Sequence, residues 1–248
     1  MDGPIIGDAF GQMLLDRFAA PDLDASYPEL IERDDGLLQT GHRGRYFAPY
    51  EEWHAAERAL IDGLSGRVLD VGAGAGRVSL YLQDRGCDVV ALDISDGAVE
   101  VCRRRGLRAT FLGTVYDLAA TSPAPFDGFV LCGNNMGLLA SRDEAPRFLG
   151  ALAGMARPGA RIAGTWLDPY LTDNPDHLAY HQRNRQRGRM GGQLRLRSRH
   201  RNLASPWFDY LFCSPAEGEE LIARTAWDLA ELNRDEQGPG YNVVLRLK

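Results

Sequence analysis

The chain has 248 residues, 44% of them hydrophobic, enough to bury the core of one sizeable α/β domain with attached segments. Its 34 acidic residues against 28 basic ones leave a formal net charge of −6, which argues against a general nucleic-acid binder. No run of roughly twenty apolar residues occurs and MDGPIIGDAF lacks the basic and apolar regions of a signal peptide, so a cytoplasmic protein without a membrane span is expected.

Near the N-terminus, GDAFGQMLLDRFAA sets Phe10, Met13, Leu14 and Phe18 on one helical face. YFAPYEEWHAAERALIDGL follows, with Pro49 early in a second helix and Trp53, Ala56, Leu60 and Leu64 at core spacing. Residues 1–60 therefore read as a helical cap ahead of a main domain, 61–248. Tyr46 and Tyr50 either face a cleft or pack at a helix start.

VLDVGAGAGR, residues 68–77, is the most informative stretch. An apolar strand carries Asp70, three alternate glycines follow, and RVSLYLQDR reads as the next helix, closed by Gly86. Without a Cβ, Gly72, Gly74 and Gly76 let backbone N–H groups approach a bound molecule closely. GAGAG departs from the GxGxxG of dinucleotide binders, since Arg77 stands where the last glycine would be. The Asp70 carboxylate would repel a pyrophosphate and attract an ammonium group. CDVVALD then ends a second strand in Asp93, placed to accept from both hydroxyls of a ribose.

These residues resemble the class I S-adenosylmethionine-dependent methyltransferases, whose first motif is an acid followed by GxGxG, with a second acid ending the next strand. The resemblance covers residues 66–166 well and the C-terminal stretch more loosely. It implies a seven-stranded, doubly wound, Rossmann-like sheet, mostly parallel with an antiparallel C-terminal hairpin, and S-adenosylmethionine as cofactor. Carried over, Asp70, Gly72 and Gly74 face the methionine part, Asp93 holds the ribose and Ile94 meets adenine. Thr114 stands where many relatives have an acid that reads the adenine amino group, with Val115 beside it; Asp117 is the alternative reader. Gly133 and Asn134 follow the fourth strand, and helices ahead of the first strand commonly cover the cofactor, which brings in Tyr46.

Further along, a helix is expected from Ser95 to Gly106, a short strand over 109–112, and a central strand at FDGFVLC. SRDE opens a helix over 141–156 as a capping box, and RIAGTW forms strand five. Ser214, Pro215 and Glu217 begin the last helix, and DLAELNRD with YNVVLRLK closes the sheet as a hairpin. Ligands bind beyond the carboxyl ends of such strands, so Asn134 and Asn135 after strand four, and Asp168 and Tyr170 after strand five, are candidate cleft residues, with Asn135 and Tyr170 on the substrate side.

Residues 167–206 form an insertion, with a helix over HLAYHQRNRQRGR and a strand over QLRLRSRHRN that pairs with PWFDYLFC. Arg195, Arg197, Arg199 and Arg201 share one strand face. With Arg183, Arg185, Arg187 and Arg189 they make eight arginines, and no Asp or Glu occurs between Asp176 and Asp209. They read as solvent or subunit contacts, giving an oligomer through 167–213, or as a clamp in which Arg195 and Arg197 hold a substrate carboxylate or phosphate. An RNA-binding arm is the third reading.

Methyl transfer needs a base only if the acceptor starts protonated. His42, His54, His177, His181 and His200 are the histidines available, with His181 and His177 favoured and Asp168 comparable. Cys87, Cys102, Cys132 and Cys213 form no CxxC pair; neither a disulfide nor a metal site is expected. The leading expectation is methyl transfer to an oxygen or nitrogen of a small natural product or metabolite, one reading being an anionic acceptor. A peptide or RNA acceptor docked on the arginines is the alternative, and a dinucleotide-dependent oxidoreductase or a non-catalytic cofactor binder the outsider.

Overall fold

Two sheets share the chain, and the computed structural model describes residues 3–20, 29–41, 45–235 and 238–248 of it. The N-terminal part holds β1 (Ile5–Ile6), α1 (Ala9–Ala19), β2 (Leu30–Arg33), β3 (Leu38–Thr40) and α2 (Ala55–Asp62). The central part runs β4 (Arg67–Val71), α3 (Arg77–Asp84), β5 (Asp88–Asp93), α4 (Asp96–Arg104), β6 (Thr110–Leu112), α5 (Val115–Ala120), β7 (Phe126–Leu131), α6 (Ala145–Gly154) and β8 (Ala156–Leu167). The remainder is α7 (Pro175–Gln186), β9 (Gln193–His200), β10 (Leu203–Ala204), β11 (Phe208–Leu211), α8 (Pro215–Ala223), β12 (Trp227–Arg234) and β13 (Gly240–Leu247).

Seven strands lie in the order β12-β13-β8-β7-β4-β5-β6. β4 to β8 are parallel, whereas β13 runs antiparallel to β8 and β12 to β13. This is the sheet expected from the sequence. Its central strands are buried on both faces, as their unbroken apolar runs require. One face packs Phe126, Phe129, Trp166 and Trp227, all fully buried, beneath α6 and α8. The other packs Ile61 of α2 and Val78 and Leu82 of α3. Each such side chain contributes roughly 1.5–3 kcal/mol of burial. Strand order reverses at β4, with β5 on one side and β7 on the other, and this opens a crevice beyond their carboxyl ends.

The second sheet corrects the expectation of a purely helical cap. β9 pairs with β11 as foreseen, Leu196 opposite Phe208, but its other edge is taken by β2, with Arg197 opposite Glu32. β3 extends the sheet beyond β2, and β10 with β1 extends it on the far side. The alternation of β9 explains the pairing. Leu194 and Leu196 join Ile31 in an apolar layer, while Arg197 and Arg199 meet Glu32 on the opposite face. LIER is too short for its period to be read from sequence.

Two helix starts differ from expectation: Pro49, expected early in the second helix, lies ahead of α2, which begins at Ala55, and the start expected at Ser141 is displaced as well. Ser141 accepts the Glu144 N–H at 3.1 Å, yet α6 begins at Ala145, with Pro146 in its first turn. Ser214 does cap α8 in the foreseen box with Glu217.

Candidate functional site

A cavity of about 1370 Å³ lies between the crevice and the second sheet. Its floor is the glycine turn, where Gly72, Gly74 and Gly76 all have positive φ, at 72°, 57° and 74°. A Cβ on Gly72 would lie 2.5 Å from Asn135 Nδ2, because that amide donates to the Val71 and Gly72 carbonyls at 3.0 and 2.9 Å. Asn135, expected on the substrate side, thus braces the turn from the end of β7 while also lining the cavity.

Two acids flank the turn. Asp93, 7% exposed, accepts the Gly74 N–H through Oδ2 and the Ser95 N–H through Oδ1, both at 2.9 Å. Asp70, 4% exposed, accepts the Ser79 hydroxyl at 2.7 Å. Burial pushes the Asp70 carboxyl up to about 6, with the Asp93 charge adding to the shift, and burial likewise raises Asp93. Two desolvated carboxylates around backbone that can approach a ligand suit a polyhydroxylated cation. A cofactor with a ribose and a positively charged methionine end fits these residues.

The rim beyond β5 and β6 is apolar. Ile94 is 70% exposed and lines the cavity with Thr114 and Val115. Thr114 caps α5 and forms a reciprocal box with Asp117, donating to its carboxylate at 2.6 Å. Asp117 is engaged in the cap through Oδ2 and does not line the cavity. Beyond β7, Gly133 and Asn134 line the wall; Asn134 is left-handed (φ 68°), and its backbone is held by Thr165 and Tyr210 at 2.7 and 2.6 Å.

Tyr46 closes the floor from above. Its ring stands edge-on to Phe10, with centroids 5.4 Å apart, and a Cβ on Gly74 would meet it at 3.4 Å. Its hydroxyl bonds to Glu29, and burial raises both groups. The roof is the inner face of the second sheet, chiefly Ile31, Leu194, Leu196, Phe208 and Tyr210.

At the far end stand His181, His177 and Asp168. His181 is 5% exposed, its Nδ1 has no hydrogen-bond partner among the described residues, and burial holds its pKa at about 4, with Arg185 next in effect. His177 accepts from Gln39 Nε2 at 2.8 Å and is also lowered, by burial first and Arg33 second. Asp168 accepts the Tyr170 N–H at 3.0 Å.

Several expected residues lie elsewhere. Tyr50 stacks on Tyr81, with centroids 4.3 Å apart, and donates to Asp62 at 2.7 Å, away from the cavity. Tyr170 does not line the cavity wall; its hydroxyl donates to Glu217 at 2.7 Å. Arg195 and Arg197 point outward from β9, onto Asp209 and Glu32 respectively, because strand alternation turns Leu194 and Leu196 inward. The arginine-rich segment is therefore not a bare positive field: Arg199 also meets Glu32, Arg183 meets Asp35 and Arg201 meets Asp16. Apart from Asp209, its counter-charges come from residues far away in sequence. His200 bonds to Asp16 at 2.6 Å, His54 lies at the start of α2 outside the cavity, and His42 falls outside the described residues. Sequence reading missed Arg33 on the inner row of β2, Glu29 just before that strand, and Asp8, which joins α1 to α4.

Residues 68–159 match the family model described as a methyltransferase domain. The ubiquinone biosynthesis O-methyltransferase of Xylella fastidiosa (strain 9a5c) is 31% identical over 126 residues, covering 46% of this chain and 50% of that protein. The malonyl-[acyl-carrier protein] O-methyltransferase of Enterobacter lignolyticus (strain SCF1) is 30% identical over 132 residues, 50% of this chain and 51% of that one. The chain thus spans about half the length of the curated relatives it matches. A SAM-dependent methyltransferase from Bacteroides fragilis, solved with S-adenosyl-L-homocysteine, superposes with a TM-score of 0.79 over 97% of this chain and 94% of that one, at 22% identity.

Proposed function

We propose that the chain, whose residues 68–159 match a methyltransferase domain, is a class I S-adenosylmethionine-dependent enzyme that methylates an oxygen or nitrogen of a small, largely apolar molecule, of the natural-product or metabolite kind. The observation that carries this reading is the pair Asp70 and Asp93, buried on either side of the glycine turn at the floor of a cavity larger than one cofactor needs. Bound there, the cofactor supplies a methyl group made electrophilic by its sulfonium.

The protein's own part is to hold and to exclude. Asp93 receives ribose hydroxyls through the lone pairs its two N–H partners leave free. Ile94 and Val115 pack on the base, and Asp70 favours the positively charged end through its field. Tyr46 and the roof keep water from the reacting atoms and fix the acceptor's approach, which lowers the barrier by orientation. His181, neutral and on the cavity wall, is the group we assign to take the acceptor's proton; His177 and Asp168 line the same cavity. On this reading the division of labour is by sheet. The seven-stranded sheet serves the cofactor, and the segments 1–60 and 167–213 together serve the acceptor.

A peptide or RNA docked on the arginines finds less support, since five of them already meet carboxylates. No helix among the described residues is long and apolar enough to cross a membrane.

Thermal denaturation with added ligand tests the proposal. S-adenosylhomocysteine should raise the Tm in a concentration-dependent way while NAD leaves it unchanged. Stabilisation by NAD alone would overturn it.

A further inference from the structure

The inner face of the second sheet is sorted by charge. Along β9, Leu194, Leu196 and Ser198 face the cavity, while Arg197 and Arg199 face away and converge on Glu32. In the paired strand and the residue before it, Glu29, Ile31 and Arg33 make the inward row. Arg33 is already committed: Nε and Nη2 donate to the two oxygens of Asp35 at 2.8 and 2.9 Å, and its guanidinium lies 4.1 Å from the Tyr180 ring centroid. Arg77, also on the cavity wall, is likewise held by Glu57.

Glu29 is the inward carboxylate of this row. Its carboxyl is pinned against Gly41, accepts the Tyr46 hydroxyl, and lies in the field of Arg17. Burial nonetheless outweighs those groups and raises its pKa, so a further positive partner would be welcome. Two aromatic residues of the cavity wall stand near it: Tyr46, whose hydroxyl it accepts, and Tyr210, close enough for its own ionisation to be opposed by Glu29. An ammonium beside a desolvated carboxylate gains the ion pair, and an aromatic-lined wall suits the ring that carries it.

We propose that the acceptor is an apolar, ring-bearing amine, bound with its ring under the roof and its ammonium group on Glu29. This rests on the methyltransferase reading above and names its substrate class. It also replaces the anionic acceptor considered from the sequence, because the arginines meant to hold an anion face outward. The amine need not be the atom methylated; it is what Glu29 recognises.

The test uses the full chain saturated with S-adenosylhomocysteine, titrated calorimetrically with naphthylmethylamine, naphthylmethanol and naphthoate, which share a ring and differ in charge. The amine should bind about tenfold more tightly than the alcohol, and naphthoate most weakly. Glu29→Gln, whose amide oxygen still accepts from Tyr46, should reduce the amine to the alcohol's affinity and leave S-adenosylhomocysteine binding within about threefold. Equal binding of amine and alcohol, tighter binding of naphthoate, no binding by any of the three, or an amine preference that survives Glu29→Gln would each overturn the proposal. The wild-type comparison decides even if the variant does not fold. If S-adenosylhomocysteine itself fails to bind, it is the methyltransferase reading that has failed.

Discussion

The Asp93 carboxylate accepts the Gly74 N–H at 2.9 Å, so the residue that ends β5 also fixes the turn that follows β4. Its other oxygen holds the Ser95 N–H at the head of α4. Asp93→Ala should therefore do more than delete a ribose contact, since it also leaves two backbone donors short of partners. We expect S-adenosylhomocysteine affinity to fall roughly 30- to 100-fold by calorimetry, equivalent to about 2–3 kcal/mol. Asp93→Asn should be nearly as damaging, because an amide presents a donor to one of those N–H groups. Unchanged affinity in both variants would remove Asp93 from the binding site.

The strands of the main sheet, both acids and the glycine turn were legible because each follows from residues adjacent in sequence: an unbroken apolar run, a terminal acid, alternate glycines. The acceptor side was not. Glu32 lies more than 160 positions before the arginines it neutralises, and no local pattern links them. Arg195 and Arg197 were placed correctly on one strand face, but which face met the cavity depended on Ile31, in a strand of four residues. Tyr50 shows the same limit, since a helix-start aromatic reads alike whether it faces a cleft or, as here, a neighbouring tyrosine.

Asp70 gives a pH signature. Its pKa rises from 3.8 unfolded to about 6 folded, so the folded chain binds the extra proton, and the stability gained from that is complete below pH 3.8 and lost as pH rises through about 6. Asp70→Asn keeps an acceptor for Ser79 and removes the buried charge. In the ligand-free protein it should add on the order of 2 kcal/mol at pH 7 by urea denaturation, with the advantage shrinking toward pH 4. An equal gain at both pH values would show that the charge is not the cause.

Glu32 anchors the roof by accepting from Arg197 at 2.9 and 2.8 Å and from Arg199 at 2.7 Å. Glu32→Gln leaves two half-buried guanidinium groups facing a neutral amide, and should cost about 2 kcal/mol of stability in denaturant. The Arg197 hydrogen bond is the main cause holding the Glu32 carboxyl below its ordinary 4.5. Its contribution is therefore present above that pH and lost as pH falls through the lower folded value. A variant as stable as the parent at pH 7 would show these pairs to be ornamental.

Helix α1 is tied to α4 at one crossing. Asp8 caps α1 through Gly11 and accepts the Ser95 hydroxyl and the Gly97 N–H at 2.8 and 3.0 Å. A Cβ on Gly97 would stand 2.6 Å from Gly11 Cα, where only backbone could yield. Gly97→Ala should push the helices apart at a cost of about 1–3 kcal/mol, and because Ser95 also donates to Asp93, S-adenosylhomocysteine affinity should fall with it. Lost stability with intact affinity would mean that α1 does not bear on the cofactor.

His181 offers the sharpest division between a working residue and a packed one. Its pKa, held at about 4 by burial, keeps the imidazole neutral and able to accept a proton across pH 5 to 8. The acid limb of kcat should therefore not centre on 6.5, the ordinary histidine value. The same burial has a stability cost: the unfolded chain takes up a proton near pH 6.5 that the folded chain refuses, so stability present above pH 6.5 is lost as pH falls toward 4. His181→Leu should remove that loss while lowering kcat about 100-fold or more, with S-adenosylhomocysteine affinity unchanged. His181→Gln, which restores a polar group but no base, should recover binding geometry without recovering kcat. If His181→Leu flattens the stability profile and leaves kcat intact, the residue is packing, and the proton acceptor must be sought in His177 or Asp168 of the same cavity.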